Sequence, residues 1–174
     1  INTLVQNLLK ITKLDAGSIV LEKKPEDVAE MMNNVELRFS YRAEQEQKKL
    51  VLFGEEDIFL SCDRDWILEA VDNIVKNAMD HTKSGDTIEI KWRKSASIVQ
   101  IQIKDNGSGI HPEDLHQIFK RFYRSRFSKD QQGIGLGLPL AKMIIEAHNG
   151  TIEVNSELGK GTMFTISFLI PIKL

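Results

Sequence analysis

The chain has 174 residues, of which 41% are hydrophobic and 28% charged, and its formal net charge is -2. This composition is typical of a globular domain that buries a core without disulfides or metals. A net charge so close to zero excludes a global attraction to nucleic acid or to an anionic membrane, so any anion must be bound locally. The single cysteine, Cys62, cannot form an internal disulfide, which favours a reducing compartment and a place in the core.

The first element is predicted to be a short helix at residues 1–14. The chain begins at Ile1, without a methionine and in the middle of a helical pattern, so we expect a fragment of a longer protein. The apolar residues form a narrow stripe close to a coiled-coil seam, and Gly17 ends it. A helix this short does not fold alone. It is predicted to pack against a partner helix or, as the alternative, to fold back on the main domain.

The remainder alternates short strands with helices. A second helix is predicted to start at Pro25, which suits a first helical turn, and to run to residue 47 with Leu37 on its inner side. Further helices are predicted at residues 63–81 and 139–148, and strands at residues 50–53, 58–62, 87–92, 98–104, 151–155 and 162–170. Tight turns between strands predict an α+β fold. It is a two-layer α/β sandwich whose mixed, mostly antiparallel sheet is covered on one face by helices, with an N-terminal helical stub.

The helix predicted at residues 63–81 has an apolar stripe and a separate polar face. On the polar face, Glu69, Asn73, Asn77 and His81 recur every four residues. Asparagine in the middle of a helix costs stability unless the side chain is used. A solvated polar face is one interpretation. The other is that the amide oxygens coordinate Mg²⁺, a hard cation that also keeps water and substrate phosphates as ligands.

A glycine-rich turn directly follows the strand predicted at residues 98–104. Its pattern is Asp105-x-Gly107-x-Gly109. The glycines let the backbone turn sharply and approach a ligand, and Asp105 is placed to accept a hydrogen bond. The same residues also fit an ordinary surface turn.

A second glycine-rich turn, Gly133-x-Gly135-x-Gly137, opens the helix predicted at residues 139–148. Backbone N–H groups at a helix N-terminus bind phosphate. The spacing matches neither the dinucleotide fingerprint nor the P-loop. The long segment between the two turns is rich in basic and aromatic residues, which is typical of a lid that meets a triphosphate, with a solvated loop as the alternative.

The order of these motifs carries a resemblance. In chain order they are Asn73-x-x-x-Asn77-Ala78, Asp105-x-Gly107-x-Gly109, Phe119-x-x-Phe122-Tyr123, Gly133-x-Gly135-x-Gly137-Leu138 and Gly159-x-Gly161-Thr162. They resemble the N, G1, F, G2 and G3 boxes of sensor histidine kinases, whose ATP-binding fold is shared with gyrase, a heat-shock chaperone and a mismatch-repair ATPase. The resemblance covers residues 24–174. It implies that residues 1–20 end the second helix of a dimerisation and acceptor hairpin and that residues 21–174 form an ATP-binding catalytic domain.

The resemblance implies that the domain binds ATP with Mg²⁺, and it implies roles for individual residues. Asn77 would hold the metal, with Asn73 supporting the metal or the phosphates. Asp105 would read the adenine amino group, and Arg124, assisted by Lys120, would meet the phosphates. The other residues expected at the ATP site are Asp80, His81, Gly107, Gly109, Ile110, Tyr123, Gly133, Gly135, Leu136, Gly137, Leu138 and Thr162.

The chain departs from the family pattern in two places. Asp80 stands where many members carry a lysine near the phosphates, which predicts the loss of one favourable contact. The acceptor box is missing, because none of the four histidines lies in a His-acid-x-x-x-Pro setting. The phosphorylated histidine is therefore expected upstream of Ile1. His81 is expected to contact the adenine or, equally well, to act as a cation at a helix C-terminus.

The function implied is transfer of the γ-phosphoryl group of ATP to a histidine of the hairpin. The implied partners are that hairpin and a response regulator. The implied parent is a homodimeric bacterial membrane sensor, with this chain on the cytoplasmic side and in contact with neither membrane nor nucleic acid. The alternatives are a gyrase-type ATPase clamp, an anti-sigma-type serine kinase, and a degenerate binding domain. Asn73 stands where the hydrolytic relatives carry a glutamate, and because an amide is not a base, slow turnover is expected.

Overall fold

The computed structural model describes residues 2–126 and 135–171. The elements in these two ranges are α1 (Thr3–Asp15), β1 (Lys24–Asp27), α2 (Val28–Gln45), β2 (Lys49–Gly54), β3 (Phe59–Cys62), α3 (Arg64–Asp80), β4 (Thr87–Lys94), β5 (Ile98–Asp105), α4 (Gly137–Ala147), β6 (Gly150–Glu157) and β7 (Gly161–Leu169). None of these helices has both the length and the apolar character needed to cross a bilayer.

The main sheet has five strands in the order β2-β4-β5-β7-β6. β2 pairs with β4 in parallel, and the other neighbours are antiparallel. Buried and exposed side chains alternate along β5, where Val99, Ile101 and Ile103 face the core. The buried face contacts α2, α3 and α4. The predicted two-layer fold, with a mixed and mostly antiparallel sheet covered on one face by helices, is confirmed.

The predicted start of the second helix is wrong. Pro25 lies in β1, a strand that pairs with β3 in a separate two-stranded ladder. α2 begins at Val28, after the N-cap Asp27, whose carboxylate accepts a hydrogen bond from the Glu30 N–H at 3.2 Å. Proline suits a first helical turn and an edge strand equally well, because neither position needs its N–H. Only the long-range pairing with β3 decides between them.

Leu37 is also misplaced by the sequence prediction. It is 71% exposed, whereas Met32 and Val35 on the same helix are fully buried. Residues turn by about 100° each around a helix, so Leu37 lies about 200° from Val35 and faces solvent.

α1 lies against the main domain, and its packing against a partner helix stays a prediction. It contacts α4, and its Ile11 is buried in the common core. Two ion pairs join the second half of α1 to the domain: Lys10 Nζ lies 2.6 Å from Glu69 Oε1, and Arg121 Nη2 lies 2.7 Å from Asp15 Oδ1. That α1 ends an acceptor hairpin remains a prediction.

His148 ties the end of α4 to the start of α3. The ring is buried, Nδ1 lies 2.8 Å from the Ile144 carbonyl oxygen, and Nε2 accepts a hydrogen bond from the Asp63 N–H at 3.1 Å. Both contacts are satisfied by a neutral ring that carries its proton on Nδ1. Burial lowers the pKa of His148 below its usual value, since it penalises the charged ring more than the Ile144 carbonyl favours it.

The free energy of unfolding is therefore expected to fall as the pH drops below about 6.5, the pKa of an unperturbed histidine. The unfolded chain then binds a proton that the folded ring excludes. The loss continues until the lowered folded pKa is reached, at up to about 1.4 kcal/mol per pH unit. Urea denaturation of the wild type and His148→Gln at several pH values measures this contribution as a difference. His116→Gln, at an exposed histidine, is the control. A difference between wild type and His148→Gln that does not vary with pH would contradict the assignment.

Candidate functional site

The polar face of α3 meets the N-terminus of α4. Gly137 is the first residue of α4, and a Cβ added to it would lie 3.9 Å from Cβ and Cγ of Asn73. Asn73 is half-buried, and its Nδ2 atom is fully enclosed without a hydrogen-bond partner among the described residues. An enclosed amide N–H without an acceptor costs about 1–3 kcal/mol. The two motifs thus come together in the structure, and the Asn73 amide has an unpaired donor where they meet.

The N-terminus of α4 has the character of an anion site. Leu136 occupies the N-cap position without a side-chain cap, and no acidic residue lies in the first turn. The N–H groups of Gly137 and Leu138 belong to the first turn, whose donors have no partner within the helix, while Pro139 has no N–H. Helix N-termini with this property attract phosphate. Leu136 is buried and Leu138 packs partly against the core, so these two residues offer backbone rather than side chains.

Asp105 ends β5 as a buried carboxylate, 4% exposed. Oδ1 accepts a hydrogen bond from the Gly107 N–H at 2.9 Å, and the Thr162 N–H also donates to this carboxylate. Burial raises the pKa of Asp105, while the two N–H groups and the nearby His81 oppose that shift. A carboxylate has about four acceptor positions, so capacity remains for a ligand amino group.

Close backbone packing explains the glycines of the turn after Asp105. A Cβ on Gly107 would lie 2.2 Å from the His81 carbonyl oxygen, and one on Gly109, where φ is +73°, would lie 2.3 Å from that of Glu157. The Ser108 N–H also donates to the His81 carbonyl at 3.2 Å. These glycines let the turn pack on the end of α3 and on the β6–β7 turn. Their approach to a nucleotide stays a prediction.

Ser156 is a supporting residue that sequence reasoning missed. Its Oγ accepts from the Ile110 N–H at 2.7 Å, lies 2.9 Å from the Gly161 carbonyl oxygen and lies 2.9 Å from Thr162 Oγ1. It therefore holds the turn that follows Asp105 onto the β6–β7 hairpin. Ser156 lies in an ordinary alternating strand, and only its pairing with Thr162 could have drawn attention to it.

Replacing Ser156 with alanine is expected to weaken nucleotide binding about tenfold, because the Ile110 N–H loses its acceptor and the Asp105 turn loosens. Titration calorimetry with an ATP analogue measures the change. Ser167→Ala, a half-buried serine on neighbouring β7, is the matched control and should bind as the wild type does. Equal affinities for both variants would remove Ser156 from the site.

The segment predicted to be a lid contains an anchored aromatic residue. Phe119 packs edge-on against Phe164, with ring centroids 6.3 Å apart, and Lys142 Nζ lies 5.2 Å from its centroid. Further along, the Phe122 N–H donates to the Gly135 carbonyl at 3.0 Å. This bond joins residues on either side of the stretch 123–134. Gly133, which was predicted to be part of the site, lies in that stretch and outside the described residues. Both joined residues have positive φ, +64° and +78°, and a Cβ on Gly135 would lie 2.7 Å from a backbone oxygen.

The predicted phosphate contacts of the lid are untested by the described geometry. Lys120 Nζ donates to Gln117 Oε1 at 3.1 Å, and the Tyr123 hydroxyl donates to Asp114. Arg124 lines a cavity of about 310 Å³ at the base of the lid.

Asp80 is charge-compensated. Oδ1 lies 2.8 Å from Arg42 Nη2, and Oδ2 lies 2.9 Å from Lys76 Nζ. The carboxylate therefore joins α3 to α2, and its charge is balanced by two cations. We therefore expect Asp80 to repel phosphates less than an unpaired aspartate at the same position would.

An asparagine amide next to a helix N-terminus, and a buried carboxylate at the end of a central strand, are features that fit a nucleotide-binding catalytic domain of the histidine kinase type. Comparison with known proteins agrees. The family model described as histidine kinase-, DNA gyrase B-, and HSP90-like ATPase matches residues 62–172, and the chain belongs to that family.

The relatives are sensor proteins. Sensor protein SrrB of Staphylococcus aureus is 36% identical over 173 residues, covering 98% of this chain and 30% of SrrB. This chain therefore spans under a third of the length of the curated relatives it matches. Histidine kinase AdeS of Acinetobacter baumannii has a TM-score of 0.80 at 25% identity, over 95% of this chain and 76% of that one. The catalytic domain of histidine kinase ThkA has a TM-score of 0.76 at 25% identity, over 85% and 95%. These likenesses favour the histidine kinase interpretation over a gyrase-type clamp or a serine kinase.

Proposed function

We propose that this domain binds ATP with Mg²⁺ and transfers the γ-phosphoryl group to a histidine on an acceptor hairpin that α1 completes. The observation that carries the proposal is the amide of Asn73, unpaired and enclosed beside the first turn of α4. An amide donor suits a phosphate oxygen, and an amide cannot activate water as a carboxylate does. The arrangement therefore supports transfer to a nucleophile from outside this domain rather than hydrolysis.

Asn73 and Asn77, half-buried on the polar face of α3, offer amide oxygens that fit a magnesium ion bound together with a nucleotide. Within residues 2–126 and 135–171, no three His, Cys, Asp or Glu side chains cluster in a way that could hold a metal. Mg²⁺ commonly takes one or two protein oxygens and completes its octahedron with phosphates and water. The Asn77 amide oxygen would be the protein ligand, with Asn73 next to it. When bound, the ion would neutralise phosphate charge.

The chain itself binds and orients the nucleotide. The Asp105 carboxylate accepts a hydrogen bond from the adenine amino group, and the Gly107 and Thr162 N–H groups keep that carboxylate in place. The first turn of α4 directs N–H groups at the phosphates, and Arg124 adds positive charge from the lid. Phosphoryl transfer depends mainly on such positioning and charge stabilisation.

We infer a response regulator as the partner of the parent protein. Histidine kinase ThkA has been solved in complex with response regulator protein TrrA, and its fold matches this chain with a TM-score of 0.76 at 22% identity. We further propose that the parent is a homodimeric bacterial membrane sensor with this domain on its cytoplasmic side, because the curated relatives are sensor proteins.

The test is phosphoryl transfer between separate parts. The chain is mixed with γ-labelled ATP, Mg²⁺ and a separately prepared hairpin from the full-length protein. We expect acid-labile, base-stable phosphate on the hairpin and none on a hairpin whose acceptor histidine is replaced by glutamine. Fast release of inorganic phosphate by the chain alone, without labelling of the hairpin, would contradict the proposal.

A further inference from the structure

A buried carboxylate at the base of the lid has no role in the mechanism described so far. Asp114 is 3% exposed, and an aspartate is rarely so buried unless its carboxylate is paired. Oδ1 accepts a hydrogen bond from the Tyr123 hydroxyl, and Oδ2 accepts one from the Ser125 hydroxyl. One carboxylate therefore binds the residues on both sides of Arg124.

Asp114 is itself held by a tight turn. Its N–H donates to the His111 carbonyl at 2.8 Å, and its carbonyl accepts from the Gln117 N–H at 2.7 Å. Hydrogen bonds to an ionised acceptor are about twice as strong as those between neutral groups. The bond to Asp114 also raises the pKa of Tyr123, since it stabilises the protonated phenol. The carboxylate thus holds Tyr123 and Ser125 from a turn that is itself hydrogen-bonded.

The surrounding contacts leave Arg124 between two fixed neighbours. On one side, Tyr123 is held by Asp114 and follows Phe122, whose N–H is bonded to Gly135. On the other side, Ser125 is held by Asp114, and the next residue, Arg126, forms an ion pair with Glu113 at 2.7 Å. The direction in which the Arg124 side chain leaves the backbone is therefore set by residues that Asp114 binds.

We propose that Asp114 is a positioning residue that, through Tyr123 and Ser125, holds the Arg124 guanidinium where it meets the γ-phosphate during phosphoryl transfer. The proposal rests on the proposed function, in which Arg124 contacts the phosphates. In that transfer the bond between the γ-phosphorus and the bridging oxygen breaks and its electron pair stays on ADP. A bond forms from the phosphorus to a ring nitrogen of the acceptor histidine, and the imidazole proton passes to water. Misplacing a charge-stabilising group by about 1 Å costs about a hundredfold in rate.

Asp114→Ala is expected to lower the rate of hairpin phosphorylation 10- to 100-fold. The affinity for ADP should change less than about twofold, because ADP has no γ-phosphate for Arg124 to meet. Asp114→Asn keeps one acceptor oxygen and should recover part of the rate. Tyr123→Phe and Ser125→Ala each remove one bond and should give intermediate rates. The control is Glu153→Gln, an exposed acidic residue on β6, which should keep the wild-type rate.

A double-mutant cycle with Arg124→Ala separates positioning from plain structural support. If Asp114 acts through Arg124, then Asp114→Ala has no further effect on the rate in the Arg124→Ala background. The same fold loss in both backgrounds, or an equal loss of ADP affinity, would overturn the proposal. If Asp114→Ala does not fold, as judged by thermal unfolding, Tyr123→Phe and Ser125→Ala replace it in the cycle. A wild-type protein that transfers no phosphate would refute the proposed function instead.

Discussion

Replacing Asn77 with alanine is expected to weaken Mg²⁺-dependent binding of an ATP analogue at least ~100-fold, which corresponds to about 2.7 kcal/mol. Within residues 2–126 and 135–171, no group of three or more His, Cys, Asp or Glu side chains could hold the metal without the amide oxygen. The fold should survive, because Asn77 is only half-buried and lies on the polar face of α3, away from the apolar stripe. Alanine is also the better helix former.

Titration calorimetry with a non-hydrolysable analogue, in Mg²⁺ and in chelator, measures the effect of Asn77→Ala. The matched control is Asn33→Ala, since Asn33 is an exposed helical asparagine on α2. It should leave the affinity unchanged, and both variants should unfold near the wild-type temperature. An Asn77→Ala protein that binds the analogue as tightly as the wild type would exclude Asn77 as the metal ligand.

Asp105→Asn is expected to lower ATP affinity about 100-fold or more and to reduce the preference for adenine over guanine nucleotides. The Gly107 and Thr162 N–H groups would keep the amide oxygen turned toward them, so the amide nitrogen would face the adenine amino group. Two donors would then meet without an acceptor. A site built for a hydrogen bond rejects a partner that cannot form it by up to 10⁴–10⁵-fold.

Competition binding with ATP and GTP analogues measures this change in preference. A guanine carbonyl at the same position accepts from the new amide, so the ATP-to-GTP affinity ratio should fall even where both affinities decrease. Glu89→Gln, a charge-neutralising change on a solvent-facing position of β4, is the control. An unaltered ratio for Asp105→Asn would show that Asp105 does not read the base.

Much of the fold follows from periodicity that is local in the sequence. The alternation along β5 and the apolar stripe of α3 identify those elements, because burial on one face imposes a period of two on strands and about 3.6 on helices. The predictions for Pro25 and Leu37 are wrong because both depend on contacts between distant parts of the chain. The strand position of Pro25 depends on pairing with β3. The exposure of Leu37 depends on which side of α2, a helix with many apolar residues, faces the sheet.

The residues of the candidate site also differ in whether local sequence or long-range contacts identify them. Asn73 and Asp105 could be identified from the sequence because each is a polar residue within a motif. Ser156 and Asp114 could not, because each acts through hydrogen bonds to residues that are not its neighbours in the sequence. Ser156 bonds Ile110, 46 positions away. The ion pair between Asp80 and Arg42, which lies 38 positions earlier, could not be predicted from the sequence for the same reason.

A crystal structure of the chain with Mg²⁺ and a non-hydrolysable ATP analogue tests the central claim most directly. We predict the adenine amino group within hydrogen-bond distance of Asp105, the phosphates between Asn73 and the first turn of α4, and the metal on the Asn77 amide oxygen. A purine and a metal bound in any other part of the molecule would contradict this account.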